Sequence, residues 1–139
     1  MFTVLENLCL LNGTSGDESR VREYIINEIK DYCDYSVDAL GSVIALKKGK
    51  KTPDKKVMIS AHMDEVGFIV TYITDEGFIH LANVGGIDDS ALFGKKVTVN
   101  GLVGVAGGKA IHQCSDDESK TIPKINDISV DFGFESKAQ

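Results

Sequence analysis

The sequence predicts an α/β fold that gives way to a separate, mostly antiparallel β unit. Two observations lead to this prediction. Apolar residues recur at helical spacing as far as residue 33, and from residue 34 onward they alternate or form short continuous runs. After residue 66 these runs are paired across turn-forming residues, which is typical of hairpins. We therefore expect the first part of an α/β domain over residues 1–66 and a small antiparallel barrel or sandwich over residues 67–139.

Two helices are predicted in the first part. Residues 3–11 carry apolar side chains at helical spacing, and Asn12-Gly13 ends the pattern. A second helix is expected over about residues 17–33. Ser15 and Glu18 stand three residues apart at its start, which is the spacing of a capping box, so the Ser15 hydroxyl is expected to cap the helix.

Short strands are predicted in both parts of the chain. Those of the first part span residues 35–38, 43–46 and 57–61. Those of the second part span residues 67–73, 78–84, 95–99, 102–106 and 128–132. Asn100-Gly101 joins two of them and is among the strongest two-residue hairpin signals.

The composition indicates a soluble protein without a nucleic-acid partner. The 139 residues carry a net charge of −6, and their lysines and arginines are scattered. The densest basic stretch, residues 47–51, is interpreted as a solvated loop rather than a phosphate or membrane contact. Three cysteines without C-x-x-C spacing, the lack of a signal sequence and the lack of a membrane-spanning run predict a cytoplasmic protein without membrane contact.

The predicted strand over residues 57–61 leads into His62, and Asp64 follows two positions later. Because residues i and i+2 of an extended chain point to the same side, these two side chains are expected to share one face. A neutral imidazole is a good ligand of zinc or cobalt, and a nearby carboxylate can orient it. The pair alone leaves a second interpretation open, in which His62 caps the strand end and Asp64 is an ordinary loop acid.

Further motifs surround this pair. They are Ser15-Gly16-x-Glu18, Asp38-x-Leu40-Gly41, Ala61-His62-Met63-Asp64-Glu65-Val66-Gly67-Phe68, Val84-Gly85-Gly86, Gly104-Val105 with His112, and Ile128-x-Val130-Asp131-Phe132-Gly133. In its motifs, their order and their approximate spacing, the chain resembles the metallo-aminopeptidase family of the glutamyl and deblocking aminopeptidases. Members of this family build tetrahedral particles and are sometimes labelled endoglucanases. Ser42 and Ala110-Ile111 depart from the family's usual asparagine and prolines, and both lie away from His62 in the sequence.

The resemblance implies a zinc-exopeptidase-like α/β catalytic domain that carries an inserted dimerisation domain. Residues 1–66 would open the catalytic domain, and residues 67–139 would form the inserted domain without its last strands. The implied activity is that of a hydrolase with two divalent metal ions, zinc or cobalt, which removes N-terminal residues from peptides and forms homo-oligomers. His62 would be a terminal ligand of one metal ion, and Asp64 the catalytic-site acid that orients or supports this ligand.

One histidine is too few ligands for catalysis, since catalytic zinc sites use about three protein ligands. The polypeptide of 139 residues is therefore expected to be inactive by itself, and to self-associate through uncovered strands. One alternative is a non-catalytic oligomerisation or binding module in which His62 is idle. A glycosidase is a weaker alternative, because no pair of acids stands out as its two catalytic carboxyl groups.

Overall fold

The computed structural model describes residues 2–51 and 54–139, and it divides into two compact units between Glu65 and Val66. The first unit contains the helices α1 (Phe2–Leu10) and α2 (Ser19–Ile29) and the strands β1 (Asp34–Val37) and β2 (Val43–Leu46). The strands of the second unit are β3 (Gly67–Ile73), β4 (Ile79–Val84), β5 (Lys96–Val99), β6 (Leu102–Gly107) and β7 (Ser129–Asp131). This arrangement confirms a mixed α/β chain with antiparallel sheets.

Strands β1 and β2 form an antiparallel hairpin whose register runs from Asp34 opposite Leu46 to Val37 opposite Val43. The carboxylate of Asp38 organises the turn, because its Oδ1 accepts the N–H groups of Ser42 at 2.8 Å and Leu40 at 2.9 Å. These contacts, that of Ser42 above all, hold the pKa of Asp38 below its ordinary value.

The predicted strand over residues 57–61 is wrong for this structure. The described segment from Val57 to Ala61 is neither helix nor strand, and Val57, Met58 and Ile59 are 89%, 90% and 92% exposed. A strand needs the backbone hydrogen bonds of a neighbour. In the described part of the first unit, β1 and β2 pair with each other and leave this segment without a ladder partner. Residues 52 and 53, within the predicted basic loop, lie outside the described residues.

The predicted capping box is also wrong. Helix α2 begins at Ser19 and ends at Ile29, so it is shorter than expected, and its N-cap is Glu18, without a side-chain cap. The Glu18 carboxylate instead accepts the N–H of Gly16 at 2.7 Å. Because α2 starts four positions after Ser15, the free N–H groups of its first turn lie beyond the reach of the Ser15 hydroxyl, which is bonded elsewhere.

The second unit is one antiparallel sheet with the strand order β3-β4-β7-β6-β5. Both predicted hairpins are confirmed. Gly77 closes the first turn with φ of +89°, and Asn100 and Gly101 take positive φ values of 49° and 83° in the second. Over the described residues no ladder joins β3 to β5, so closure of this sheet into a barrel stays a prediction.

The hydrophobic core of the second unit lies against this sheet. Gly104 permits close approach of β6 and β7, since a Cβ at this position would lie 2.7 Å from Val130 Cγ1 and 2.9 Å from the Asp131 carbonyl oxygen. The buried members of the core are Ile79, Leu81, Leu92, Ala106, Ile128 and Val130. In the first unit, Val21 is the only buried hydrophobic residue among those described.

In the described part of the chain, no helix is long and apolar enough to cross a membrane. The three cysteines, Cys9, Cys33 and Cys114, are free thiols. The cytoplasmic location stays a prediction.

Candidate metal site at His62

The residues that precede α2 are tied to those that follow His62. Thr14 and Glu65 form an isolated parallel β-bridge, in which the Glu65 N–H donates to the Gly13 carbonyl oxygen at 2.8 Å. The Glu65 carboxylate accepts the Gly13 N–H at 3.1 Å. We call residues 13–15 the Gly13–Ser15 segment. Its hydrogen bonds hold the backbone beside Asp64 in one position.

Gly13 is needed for this arrangement because the segment passes close to α2. A Cβ at Gly13 would lie 2.6 Å from Val21 Cγ2 and 3.5 Å from the Met63 carbonyl oxygen. Gly13 and Val21 are both buried. The Gly13–Ser15 segment is therefore packed on the one buried apolar side chain that the described first unit contains.

The structure brings the two predicted site residues, His62 and Asp64, into contact. His62 Nδ1 lies 3.1 Å from Asp64 Oδ1 and 3.0 Å from the Asp64 carbonyl oxygen. The other carboxylate oxygen, Oδ2, accepts the Ser15 hydroxyl at 2.5 Å. The hydrogen bond from Ser15 is the largest cause that lowers the pKa of Asp64, and the Asp64 backbone and His62 act in the same direction.

The contacts of Nδ1 determine where the neutral imidazole carries its proton. A carbonyl oxygen accepts hydrogen bonds and cannot donate them, so His62 Nδ1 must carry the proton. The lone pair of the neutral ring is then on Nε2, and the His62 side chain is 86% exposed. A metal-bound histidine typically donates its second ring N–H to a carboxylate or a carbonyl group. The Nδ1 contacts of His62 therefore match the hydrogen-bonding pattern that metal-bound histidines have.

The side chains described around His62 provide one metal ligand and do not form a complete metal site. No group of three or more His, Cys, Asp or Glu side chains that could hold a metal ion occurs among the described residues. Glu65, the nearest further acid in the sequence, is bonded to the Gly13 N–H. The described residues thus provide one imidazole with its supporting acid.

The other two histidines have different surroundings. His80 lies in β4 beside Tyr72, with ring centroids 6.2 Å apart, as expected for a half-buried strand residue. His112 lies in the 3₁₀ turn Ile111–Gln113. Neither belongs to a group of potential ligands in the described part of the chain.

The acidic pairs that the sequence places in loops make local hydrogen bonds. Asp88 Oδ1 accepts the N–H of Ser90 at 2.9 Å and its hydroxyl at 2.6 Å, which lowers the pKa of Asp88. Glu118 accepts Lys109 Nζ at 2.9 and 3.1 Å and the Ser115 N–H at 2.7 Å. These contacts, with Lys109 first, lower the pKa of Glu118 to about 2. Both acids organise exposed loops.

Ser15 is the residue of the site that the sequence interpretation missed. Its position before a helix suggested a cap, and its partner Asp64 lies 49 positions away. The Ser15-Gly16-x-Glu18 motif could have identified Ser15 as a site residue, because it accompanies the His62–Asp64 motif in the family resemblance.

The sequence pattern of the M42 glutamyl aminopeptidases matches residues 41–139. The chain belongs to the M42 glutamyl aminopeptidase family. This confirms the resemblance on which the roles of His62 and Asp64 were predicted.

Two aminopeptidase relatives show how much of a relative's length this chain spans. A protein of Acetivibrio thermocellus is 39% identical over 141 residues, which cover 100% of this chain and 40% of the relative. The glutamyl aminopeptidase of Lactococcus lactis is 30% identical over 146 residues, which cover 100% of this chain and 41% of the relative. The chain therefore spans about 40% of the length of the relatives it matches.

Solved structures agree with the M42 assignment. The TET aminopeptidase of a marine sediment thaumarchaeote superposes with a TM-score of 0.87 at 31% identity, over 99% of this chain and 39% of that one. The TET1 peptidase of Pyrococcus horikoshii superposes with a TM-score of 0.81 at 42% identity, over 99% of this chain and 42% of that one. The latter protein is described as assembling into a tetrahedron or a large octahedral shell.

Proposed function

We propose that this chain is the N-terminal part of a dinuclear-metal aminopeptidase that hydrolyses N-terminal residues from peptides. His62 is a terminal ligand of one of two divalent ions, zinc or cobalt, and Asp64 orients it. The observation that carries this proposal is the hydrogen-bonded His62–Asp64 pair, in which Nδ1 donates and Nε2 is left for a metal ion. Membership of the M42 family supports the peptidase class.

The described residues perform the supporting part of the chemistry. His62 would hold one ion of a metal pair, and that pair would supply activation of water and polarisation of the peptide carbonyl group. Asp64 fixes the plane of the imidazole through its Oδ1, and its negative charge favours a cation at Nε2. The remaining ligands and the general base are assigned to a longer polypeptide, in keeping with the share of the relatives that this chain covers.

Metal binding at His62 is tested by cobalt(II) titration followed by NMR. Paramagnetic cobalt broadens nearby protons, so coordination through Nε2 broadens the Cδ2 and Cε1 protons of His62. The rings of His80 and His112 serve as internal controls. We expect His62 to respond at the lowest cobalt concentration and Asp64→Ala to weaken that response about tenfold or more. Equal responses of His62 and His112 would contradict the proposal.

The activity of the polypeptide itself is a second test. Because the described residues contain no cluster of three ligands, we expect no hydrolysis of an aminoacyl-arylamide with added zinc or cobalt. A sample that binds two metal ions per chain and cleaves this substrate would show that the ligand count is wrong.

We also propose that residues 67–139 serve as a dimerisation domain through which homo-oligomers form. The support is the shell assembly of the Pyrococcus horikoshii relative and the exposed valines of β6, Val103 and Val105. If these valines lie in the interface, replacing both with lysine will lower the mass of the purified chain measured by light scattering. An unchanged mass would place the interface elsewhere.

The alternative is a non-catalytic oligomerisation or binding module. The observation in its favour is that the second unit has its own hydrophobic core, without any contribution from the site residues. The two functions differ at His62: the module predicts a cobalt response no stronger than that of His112, and the enzyme part predicts a stronger one.

A further inference from the structure

We propose that Ser15 is a positioning residue of the metal site, which acts on His62 through Asp64. Its hydroxyl holds the Asp64 carboxylate in the orientation that lets the opposite oxygen accept the His62 Nδ1–H. This inference rests on the proposed metal-binding function of His62.

The geometry is a linear series of two hydrogen bonds. The Ser15 hydroxyl donates to Asp64 Oδ2 at 2.5 Å, and His62 Nδ1 donates to Asp64 Oδ1 at 3.1 Å. Because the two bonds use different oxygens of one rigid planar carboxylate, fixing Oδ2 also fixes Oδ1. The Asp64 side chain would otherwise be free to turn toward water, since it is partly exposed.

Ser15 is well placed for this role because the backbone on both sides of the contact is held. The Thr14–Glu65 bridge, the Gly13–Glu65 hydrogen bonds and the packing of Gly13 on Val21 fix the Gly13–Ser15 segment beside Asp64. None of these contacts uses the Ser15 hydroxyl. The hydroxyl can therefore be removed while the backbone arrangement stays intact, which separates positioning from folding.

Three variants of the 139-residue chain test the inference. Ser15→Ala removes the hydroxyl, and Ser15→Thr restores one at the same position. Ser19→Ala is the matched control, because the Ser19 hydroxyl accepts Arg22 Nη2 at the start of α2 and does not bond Asp64. The three-bond couplings of the Asp64 Cβ protons report its side-chain rotamer. A cobalt(II) titration followed at the His62 ring reports metal affinity.

The expected result is a change in Ser15→Ala alone. The Asp64 couplings should change from those of one rotamer to an average over several rotamers. Cobalt affinity at His62 should fall about threefold to tenfold, which is less than the loss expected when the supporting carboxylate itself is removed. Ser15→Thr and Ser19→Ala should resemble the unsubstituted chain in both measurements. The amide signals of Gly13, Thr14 and Glu65 should stay in place, which a purely structural role of the hydroxyl would not allow.

Two results would overturn the inference, and they differ from each other. If the unsubstituted chain binds cobalt at His62 and Ser15→Ala binds it equally well with unchanged Asp64 couplings, Ser15 has no positioning role and the metal proposal stands. If the unsubstituted chain shows no stronger cobalt response at His62 than at His112, the metal proposal fails, and the metal-positioning role of Ser15 fails with it.

Discussion

The two units of the chain are stabilised in different ways. The second unit has six buried core residues, four of them in strands of its sheet, whereas the described part of the first unit buries the single hydrophobic residue Val21. The first unit nevertheless contains the candidate site, and what fixes it there is a set of hydrogen bonds among residues 13–15 and 62–65. In this chain the candidate chemistry thus lies in the unit with the smaller core.

The largest effect is expected in the core of the second unit. Ile128→Ala removes a side chain that is 1% exposed, so it should lower the free energy of unfolding by about 2–5 kcal/mol. Ile122→Ala is the matched control, because Ile122 is 61% exposed, and it should change the free energy by less than about 0.5 kcal/mol. Urea unfolding followed by NMR signals of β4 and β6 measures both. Equal effects would mean that this core does not stabilise the second unit.

A smaller loss of stability is expected in the first unit from Gly13→Ala. The added methyl group would overlap Val21 Cγ2 at 2.6 Å, so it should destabilise the unit by about 1–3 kcal/mol and break the bridge to Glu65. Gly49→Ala is the control, since its Cβ would make an ordinary contact at 3.5 Å. Amide hydrogen exchange at Glu65 reports the bridge, and unchanged exchange in Gly13→Ala would show that the segment can move aside.

Non-specific aggregation, as distinct from the homo-oligomer proposed for residues 67–139, is expected to arise from the first unit, where a run of apolar side chains is almost fully exposed. Replacing Met58 and Ile59 with lysine should reduce the aggregated fraction, because it interrupts the apolar segment at Val57–Ile59. Light scattering measures this fraction. The same result with Lys55→Ala and Lys56→Ala, which remove charge beside the segment, would argue against an apolar contact.

The smallest effect is expected at the exposed Lys109–Glu118 pair. The folded-state pKa of Glu118, about 2, is below its ordinary value of 4.5. The pair therefore stabilises the fold above about pH 4.5, and this contribution is lost as the pH falls toward 2. In Lys109→Met the pKa of Glu118 should rise toward its ordinary value, as measured by carbon NMR of the carboxyl group. Lys124→Met is the control and should leave it unchanged.

The features that could be predicted from the sequence are those set by local chemistry. The Asn100-Gly101 turn follows from the ease with which both residues adopt positive φ, and the contact of His62 with Asp64 follows from a spacing of two. The contact of Ser15 with Asp64 joins residues 49 positions apart, which no local pattern specifies. The segment at residues 57–61 has the composition of a strand, but composition cannot supply the neighbouring strand that it needs.

The same limit applies to the shape of the second unit. Hairpin signals predict that two strands consecutive in sequence are also neighbours in the sheet, as β5 and β6 are. They do not fix whether the outer strands meet, because closure depends on the tilt and stagger of all five strands together. The prediction of hairpins is therefore confirmed, and closure into a barrel or sandwich stays a prediction.

The Thr14–Glu65 bridge also bears on the order in which the first unit folds. Helix α2 and the β1–β2 hairpin involve residues close in sequence and can form within microseconds. The bridge joins segments about 50 residues apart, since the hydrogen-bonded residues Gly13 and Glu65 are separated by 52 positions. Its formation therefore carries the entropic cost of closing a long loop. We therefore expect the alignment of Ser15, Asp64 and His62 to be a late event in folding, completed after the local elements have formed.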